Sequence, residues 1–299
     1  MTDIILHHYD TSPFSEKVRL MLGIKRLAWR SVIQPVIMPK PDLVPLTGGY
    51  RRIPVLQIGA DVYCDSQVIL DELERRHPDP PVVRGADWAV NLWSDRMWFQ
   101  ASVAVIFAGI GDSVPEEFIA DREKLSGRPF DVKAMQAAAP FARAQWRAFA
   151  AWLEEGLEDA DFLGGSTPSL SDVAVWMNVW WLGGAAREAA GELLGGFDRT
   201  LAWRDRMRAI GHGQRTETPP PEAVEIARGA TPAPAAVDPN DPSGLRAGER
   251  VVVQADDYGR DPIEGRLVGL SPTRVSLARD DLDTIHVHFP RAGYVLARA

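Results

Sequence analysis

The run Thr11-Ser12-Pro13-Phe14-Ser15-Glu16-Lys17-Val18-Arg19 carries the clearest chemical signal in the sequence, because it follows a strand pattern and opens a helix pattern. Ser12 fits the N-cap and Pro13 the first helical position, where its missing N–H would have had no partner anyway. A capping serine accepts a backbone bond through its oxygen, which leaves the hydroxyl proton to be donated elsewhere. An anion would receive it. The helix start presents free N–H groups and partial positive charge, so a thiolate placed there is stabilised and its pKa lowered. A plain capping serine is the competing reading of this segment. Ser15, Thr11 and Tyr9 are rivals for the same contact, because a shift of one turn in the loop would exchange them.

Two later features point to a ligand with charged ends. Ile53-Pro54 lies at the start of a strand, where proline marks a turn or a cis bond. A cis bond there would turn the N–H and C=O of Ile53 outward, to pair strand-fashion with an extended peptide. Asp65-Ser66 opens the next helix, where a hydroxyl and free N–H groups suit a carboxylate and Asp65 attracts an ammonium group. Simple N-capping is the alternative for this pair.

Three kinds of element must position these residues. Residues 1–83 alternate short apolar runs with amphipathic stretches: Ile4-Ile5-Leu6 as a strand, a helix from Ser12, a second strand beginning at Val32-Ile33, a hairpin over Ile53 to Cys64, and a helix from Ser66 to His77. Residues 86–228 are rich in alanine and tryptophan and read as all-helical, with long helices at Trp88–Ile110 and Val132–Leu157, the latter kinked at Pro140. Val173 to Leu182 is apolar almost all round and should be the buried central helix, followed by Asp198 to Ile210. Gly213 to Ser243 holds seven prolines and reads as an extended connector with one short helix at Pro221–Arg228; the linker proper is 229–243. From 244 to 299 the period falls to two, and five short strands suggest a small closed or half-open β-barrel.

Composition narrows the function. The chain has 299 residues and a formal net charge of −8, which disfavours nucleic acid or an anionic membrane surface as the main partner. A single cysteine, Cys64, excludes an internal disulfide framework and reads as a buried core thiol. The opening residues carry no basic segment followed by an apolar run, and no stretch of about 18 uncharged apolar residues occurs, so a cytoplasmic location is expected. Residues 244–299 hold eight arginines against eight acids, so no basic stripe forms. His286 and His288 alternate onto one strand face without an evident third metal ligand and read as solvated strand histidines; His7 and His8 read as structural. No metal site is expected.

Residues 3–83 resemble the thioredoxin-like N-terminal domain of cytosolic glutathione S-transferases, and the central zone resembles their all-helical C-terminal domain. Thr167-Pro168-Ser169-Leu170-Ser171-Asp172 is similar to the family's capping-box turn before its buried helix, and Leu201-Ala202-Trp203-Arg204-Asp205-Arg206-Met207 to the later helix ending its core. The implied fold is an α/β thioredoxin-like domain, an all-α bundle and a small all-β barrel-like (SH3-like) extension that departs from the family. The resemblance places Ser12 as the catalytic hydrogen-bond donor to the glutathione sulfur, with Pro13 and Phe14 beside it. Ile53, preceding Pro54, offers backbone to the cysteinyl unit, Asp65 and Ser66 hold the γ-glutamyl end, and Lys40 and Arg52 are the cations for the glycyl carboxylate. Glutathione is thus implied as co-substrate, with a homodimer and a detoxifying role.

A hydroxyl at that turn stabilises a ligand's thiolate but cannot form mixed disulfides, which favours conjugation or isomerisation over reduction. Lowering a thiol pKa from ~8.5 toward ~6.5 raises the thiolate fraction near neutrality more than tenfold. The second substrate is expected to be a small apolar electrophile against Trp88, Trp93, Trp98, Phe99 and Phe107, although aromatics at that spacing more often serve core or dimer packing. An isomerase or dehalogenase on the same scaffold would share these residues. A weakly active or inactive binding module, suggested by the appended strands, is the reading from another class.

Overall fold

The computed structural model describes residues 3–279 and 285–299. Its first unit comprises strands Ile4–His8 (β1), Ala28–Ile33 (β2), Val55–Ile58 (β3) and Asp61–Cys64 (β4) with helices Pro13–Ile24 (α1), Val44–Thr47 (α2) and Ser66–Arg76 (α3). β1 runs parallel to β2 and antiparallel to β3, which turns back into β4. Val32 and Ile33 therefore end the second strand instead of beginning it. Its first half alternates exposed Ala28, buried Trp29 and half-buried Arg30, which blurs the apolar pattern. The Ser12 side chain caps α1 with Pro13 at its first position, as its sequence dictates.

The helical zone holds Asp87–Trp93 (α4), a π turn at Ser94–Trp98, Phe99–Ile110 (α5), Glu116–Ser126 (α6), Val132–Gly156 (α7, containing Pro140), Leu170–Ala185 (α8), Arg187–Leu194 (α9) and Asp198–Ile210 (α10). The long helix read at 88–110 is α4, the π turn and α5 joined end to end. α8 is the central helix, with eleven residues buried. Its capping box is complete: Asp172 accepts from Ser169 N at 2.8 Å and also from the Leu163 and Gly164 amides and Trp203 Nε1. α6 and α9 escape the sequence reading because the first buries one residue, Leu125, and the second spans only eight.

Strand Gln214–Glu217 (β5) lies where an extended connector was expected, and it pairs in parallel with β2 although all four residues are exposed. Gly23 makes the approach possible: a Cβ there would meet the Gly211 carbonyl oxygen at 2.0 Å. Pro220–Arg228 (α11) then lays Ala223 on Ile5 and Val32. Residues 229–243 form no regular element beyond a bridge from Val237 to Leu270.

The five terminal strands, Arg250–Ala255 (β6), Ile263–Leu270 (β7), Arg274–Ala278 (β8), His286–Pro290 (β9) and Tyr294–Arg298 (β10), form an antiparallel sheet in the order β10-β6-β7-β8-β9. Among the described residues β9 and β10 do not pair, so the small β unit is open on that side. β9 instead pairs in parallel with β4, giving one continuous sheet, β10-β6-β7-β8-β9-β4-β3-β1-β2-β5. Leu46, Val55, Val62 and Cys64 of the first unit share one core with Val253, Leu267, Leu277 and Phe289. His288 sits inside this joint, buried, against the expectation of a solvated histidine.

Candidate functional site

The cleft nearest the start of α1 is assembled from three parts of the chain. Phe14, Arg52, Ile53, Pro54, Asp65 and Ser66 line it from the first unit, Leu92, Asp95 and Arg96 from the helical zone, and Asp257, Tyr258 and Tyr294 from the terminal sheet. The structure thus brings six of the nine sequence-predicted residues to one surface. Ser12 and Pro13 stand at the adjoining helix start but do not line the cleft, and Ser12 is only 1 % exposed. Lys40 is also elsewhere, its ammonium 5.8 Å from the centre of the Tyr9 ring.

Each feature has a local cause. Ser12 Oγ accepts from Ser15 N at 3.1 Å, which uses an acceptor lone pair and leaves the hydroxyl proton to give. Of its rivals, Ser15 is fully buried, Thr11 is exposed, and the half-buried Tyr9 phenol lies against Ser12 and Arg122 with its pKa raised by burial. The Ile53–Pro54 bond is cis. Asp65 caps α3 by accepting from Gln67 N at 2.9 Å, and it does so from φ 95°, a region that non-glycine residues occupy only at a cost of ~1–3 kcal/mol. Such strain concentrates at ligand clamps.

The acidic end of the cleft is already crowded. Asp65 Oδ2 accepts from Tyr294 Oη at 3.0 Å and Arg52 Nη2 at 3.3 Å. Arg52 also binds Asp257 Oδ1 at 3.2 Å and lies within 5.2–5.6 Å of the ring centres of Tyr50, Tyr258 and Tyr294. Its charge is therefore committed to the protein's own acid and aromatic groups, which does not favour the glycyl-carboxylate role. Burial raises the phenol pKa of Tyr50, Tyr258 and Tyr294, so all three stay neutral beside it. The remaining cavity measures about 50 Å³, room for a few waters at ~10–15 Å³ each.

Lys17 and Asp95 close the floor. Lys17 Nζ lies 2.7 Å from Asp95 Oδ1, 2.6 Å from Asn91 Oδ1 and 3.5 Å from Ser66 Oγ, locking α4 and the π turn to α1 and α3. Burial raises the Asp95 pKa while Lys17 opposes the rise. Lys40 is 4 % exposed, and burial, with help from Arg122, lowers its pKa to about 8. α6 clamps this side: Arg51 pairs with Asp121, and Arg122 Nη2 donates to Val36 O at 2.9 Å.

Beyond Phe14 runs an aromatic wall. Phe14 meets Phe99 edge-on at 4.7 Å, Phe99 stacks on Trp181 at 5.4 Å, and Phe107 joins Trp181 to Phe118 and Phe130. Phe99 and Phe107 thus join one aromatic row with Phe14, whereas Trp98 is fully buried and Trp93 and Trp88 pack on the same core. Sequence reading missed Asp95, Tyr258 and Tyr294. The run Asp256-Asp257-Tyr258-Gly259, an aromatic inside a polar turn, was the one available signal for the second.

Comparison with known proteins is consistent with this architecture. Residues 6–81 match the model of the glutathione S-transferase N-terminal domain and residues 120–206 that of the C-terminal domain. A GST-like protein from Pseudomonas syringae is 36 % identical over the whole of both chains, with a TM-score of 0.81. The chain belongs to the glutathione S-transferase family. Its match to that full-length relative includes the terminal strands, so the extension is shared with at least one other family member. More distant structures share the fold alone. A Rhodospirillum rubrum glutathione S-transferase is 17 % identical over 69 % of this chain and 88 % of its own, TM-score 0.54. The β-etherase LigF from Sphingobium is 18 % identical over 70 % and 96 %, TM-score 0.54. No curated protein matches the chain.

Proposed function

We propose that this family member is a glutathione-dependent enzyme in which the Ser12 hydroxyl donates to the glutathione thiolate, and that it conjugates or isomerises a small apolar electrophile. The observation that carries this reading is Asp65, held at φ 95° beside Ser66 at the mouth of the cleft. A carboxylate so placed suits the γ-glutamyl ammonium, and Ser66 with the first free amides of α3 suits the adjoining carboxylate. The sulfur then points toward the start of α1, whose partial positive charge favours the thiolate. The electrophile packs on Phe14, Phe99 and Trp181. Lys40, cationic below about pH 8 but buried over Tyr9 outside the cleft lining, is the cation that the resemblance offers to the glycyl carboxylate, and it acts on that group at longer range. The protein acts in the cytoplasm as a homodimer, with a detoxifying role, and a sizing column reading twice the 33.0 kDa chain mass checks the dimer.

A second reading rests on one observation: Tyr294 and Arg52 already occupy the Asp65 carboxylate. With that roof in place the protein binds ligands without turnover. Calorimetry with millimolar glutathione and turnover of 1-chloro-2,4-dinitrobenzene, for wild type and Ser12→Ala, separate the two. Loss of one well-placed donor should lower turnover ~100-fold with binding retained. Heat of binding without wild-type turnover supports the second reading, and equal turnover by Ser12→Ala removes the serine from the chemistry.

A further inference from the structure

A second cleft, of about 430 Å³, lies on the sheet face between α3 and residues 233–236, and it shares no lining residue with the first. Its floor is one cross-strand file. Tyr63 on β4 is the register partner of His288 on β9, which is the partner of Ser276 on β8, which is the partner of Gly269 on β7. Ser276 Oγ is 2.8 Å from His288 Nδ1, and His288 Nε2 is 2.9 Å from Asp61 Oδ1. The second Asp61 oxygen accepts from Ala233 N at 2.9 Å, which fixes the carboxylate. The Tyr63 ring stacks on the imidazole, centroids 4.5 Å apart and planes 18° apart, and so fixes the ring.

The protons in this chain follow from donor and acceptor counting. Burial lowers the His288 pKa from 6.5, so the imidazole is neutral near neutrality and carries one N–H. The Asp61 carboxylate only accepts, which places that proton on Nε2 and leaves the Nδ1 lone pair facing the Ser276 hydroxyl. Serine donates to imidazole and imidazole to carboxylate: this is the relation between nucleophile, base and orienting acid in acyl-transfer triads, with the two ring nitrogens exchanged. Gly269 lets residues 233–236 pack close over the nucleophile: a Cβ there would sit 3.0 Å from Ala235 Cβ and 3.1 Å from Ser276 Oγ, and Ser276 lines the cleft while only 4 % exposed. Arg75, Arg76 and Arg274 line the same cleft. Each guanidinium has five N–H groups, of which the neighbouring Glu72 and Asp71 take only some, leaving donors for a carbonyl oxygen as it gains charge.

We propose that Ser276, His288 and Asp61 form an acyl-transfer site that hydrolyses small carboxylic esters, separate from the glutathione cleft. Ser276 Oγ bonds to the ester carbonyl carbon while its proton passes to His288 Nδ1. The alcohol leaves with that proton as its C–O bond breaks. Water then attacks the acyl-serine, gives a proton to Nδ1, and the acid departs as the proton returns to Oγ.

The test uses the full chain. Incubation with a fluorophosphonate should place one phosphonyl group on the peptide containing Ser276, fluoride leaving as the O–P bond forms. p-Nitrophenyl acetate hydrolysis should fall ~100-fold or more in Ser276→Ala and in His288→Gln, the range of a positioned general base. Labelling of the wild type decides the matter even where a variant fails to fold. An unmodified Ser276 peptide after exhaustive treatment, an adduct mapped elsewhere, or undiminished hydrolysis by folded Ser276→Ala would each overturn the proposal.

Discussion

Replacing Tyr294 by Phe removes one hydroxyl and keeps the ring packed against Phe289, 5.7 Å away centre to centre. That hydroxyl donates to Asp65 Oδ2 at 3.0 Å, beside Arg52 Nη2 at 3.3 Å, while Oδ1 accepts from Gln67 N at 2.9 Å. A carboxylate offers about four acceptor positions, so roughly one is left for an incoming ammonium group. A hydrogen bond to a charged group contributes ~1.5–3 kcal/mol, and about 1.4 kcal/mol is a factor of ten in affinity. Tyr294→Phe should therefore tighten glutathione binding by roughly 10- to 100-fold in calorimetry. The same lost bond should lower the urea midpoint of unfolding with an unchanged m-value. An unaltered or weaker affinity would refute competition at Asp65 and make Tyr294 a residue that orients the carboxylate for its ligand.

Asp172→Ala should cost at least about 3 kcal/mol in a urea titration, since each buried donor it leaves unpaired costs ~1–3 kcal/mol, and four amide or indole N–H groups converge there; a loss under about 1 kcal/mol contradicts this. Burial holds His7 near pKa 4 and His8 near 3 in the fold. The unfolded chain binds these protons below about pH 6.5 while the fold refuses them, so stability present above pH 6.5 is lost as pH falls toward 4. The slope is at most ~1.4 kcal/mol per pH unit for each group. His7→Gln should flatten the urea midpoint's dependence across that window, and an identical slope would clear His7. Lys40 loses its proton near pH 8, so the affinity advantage of wild type over Lys40→Met for S-methylglutathione should shrink as pH passes 8. A constant ratio from pH 7 to 9 would detach Lys40 from the glycyl carboxylate.

The start of α1, the cap of α3 and the capping box of α8 were legible because each depends on residues within three or four positions of one another: Ser12 with Ser15, Asp65 with Gln67, Ser169 with Asp172. The terminal strands were legible for the same reason, an alternation that each carries within itself, as in the inward Val251, Val253 and Ala255 of β6. From such local signals the sequence alone determined the succession of an α/β unit, a helical zone and terminal strands, and the place of the helix start that carries Ser12, but not α6, α9 or β5. β5 shows the limit, since Gln-Arg-Thr-Glu has no apolar face, and its pairing with β2 depends on Gly23 letting Gly211 close on α1 and on Gly213 letting the chain close on Leu27. The parallel pairing of β9 with β4 is of the same kind. It sets His288 beside Asp61, 227 positions away, and Tyr294 on Asp65, 229 positions away. No periodicity within either segment encodes those meetings. They follow from which sheet edge was left uncovered and which apolar faces shared a core, and both were decided only when the chain closed on itself.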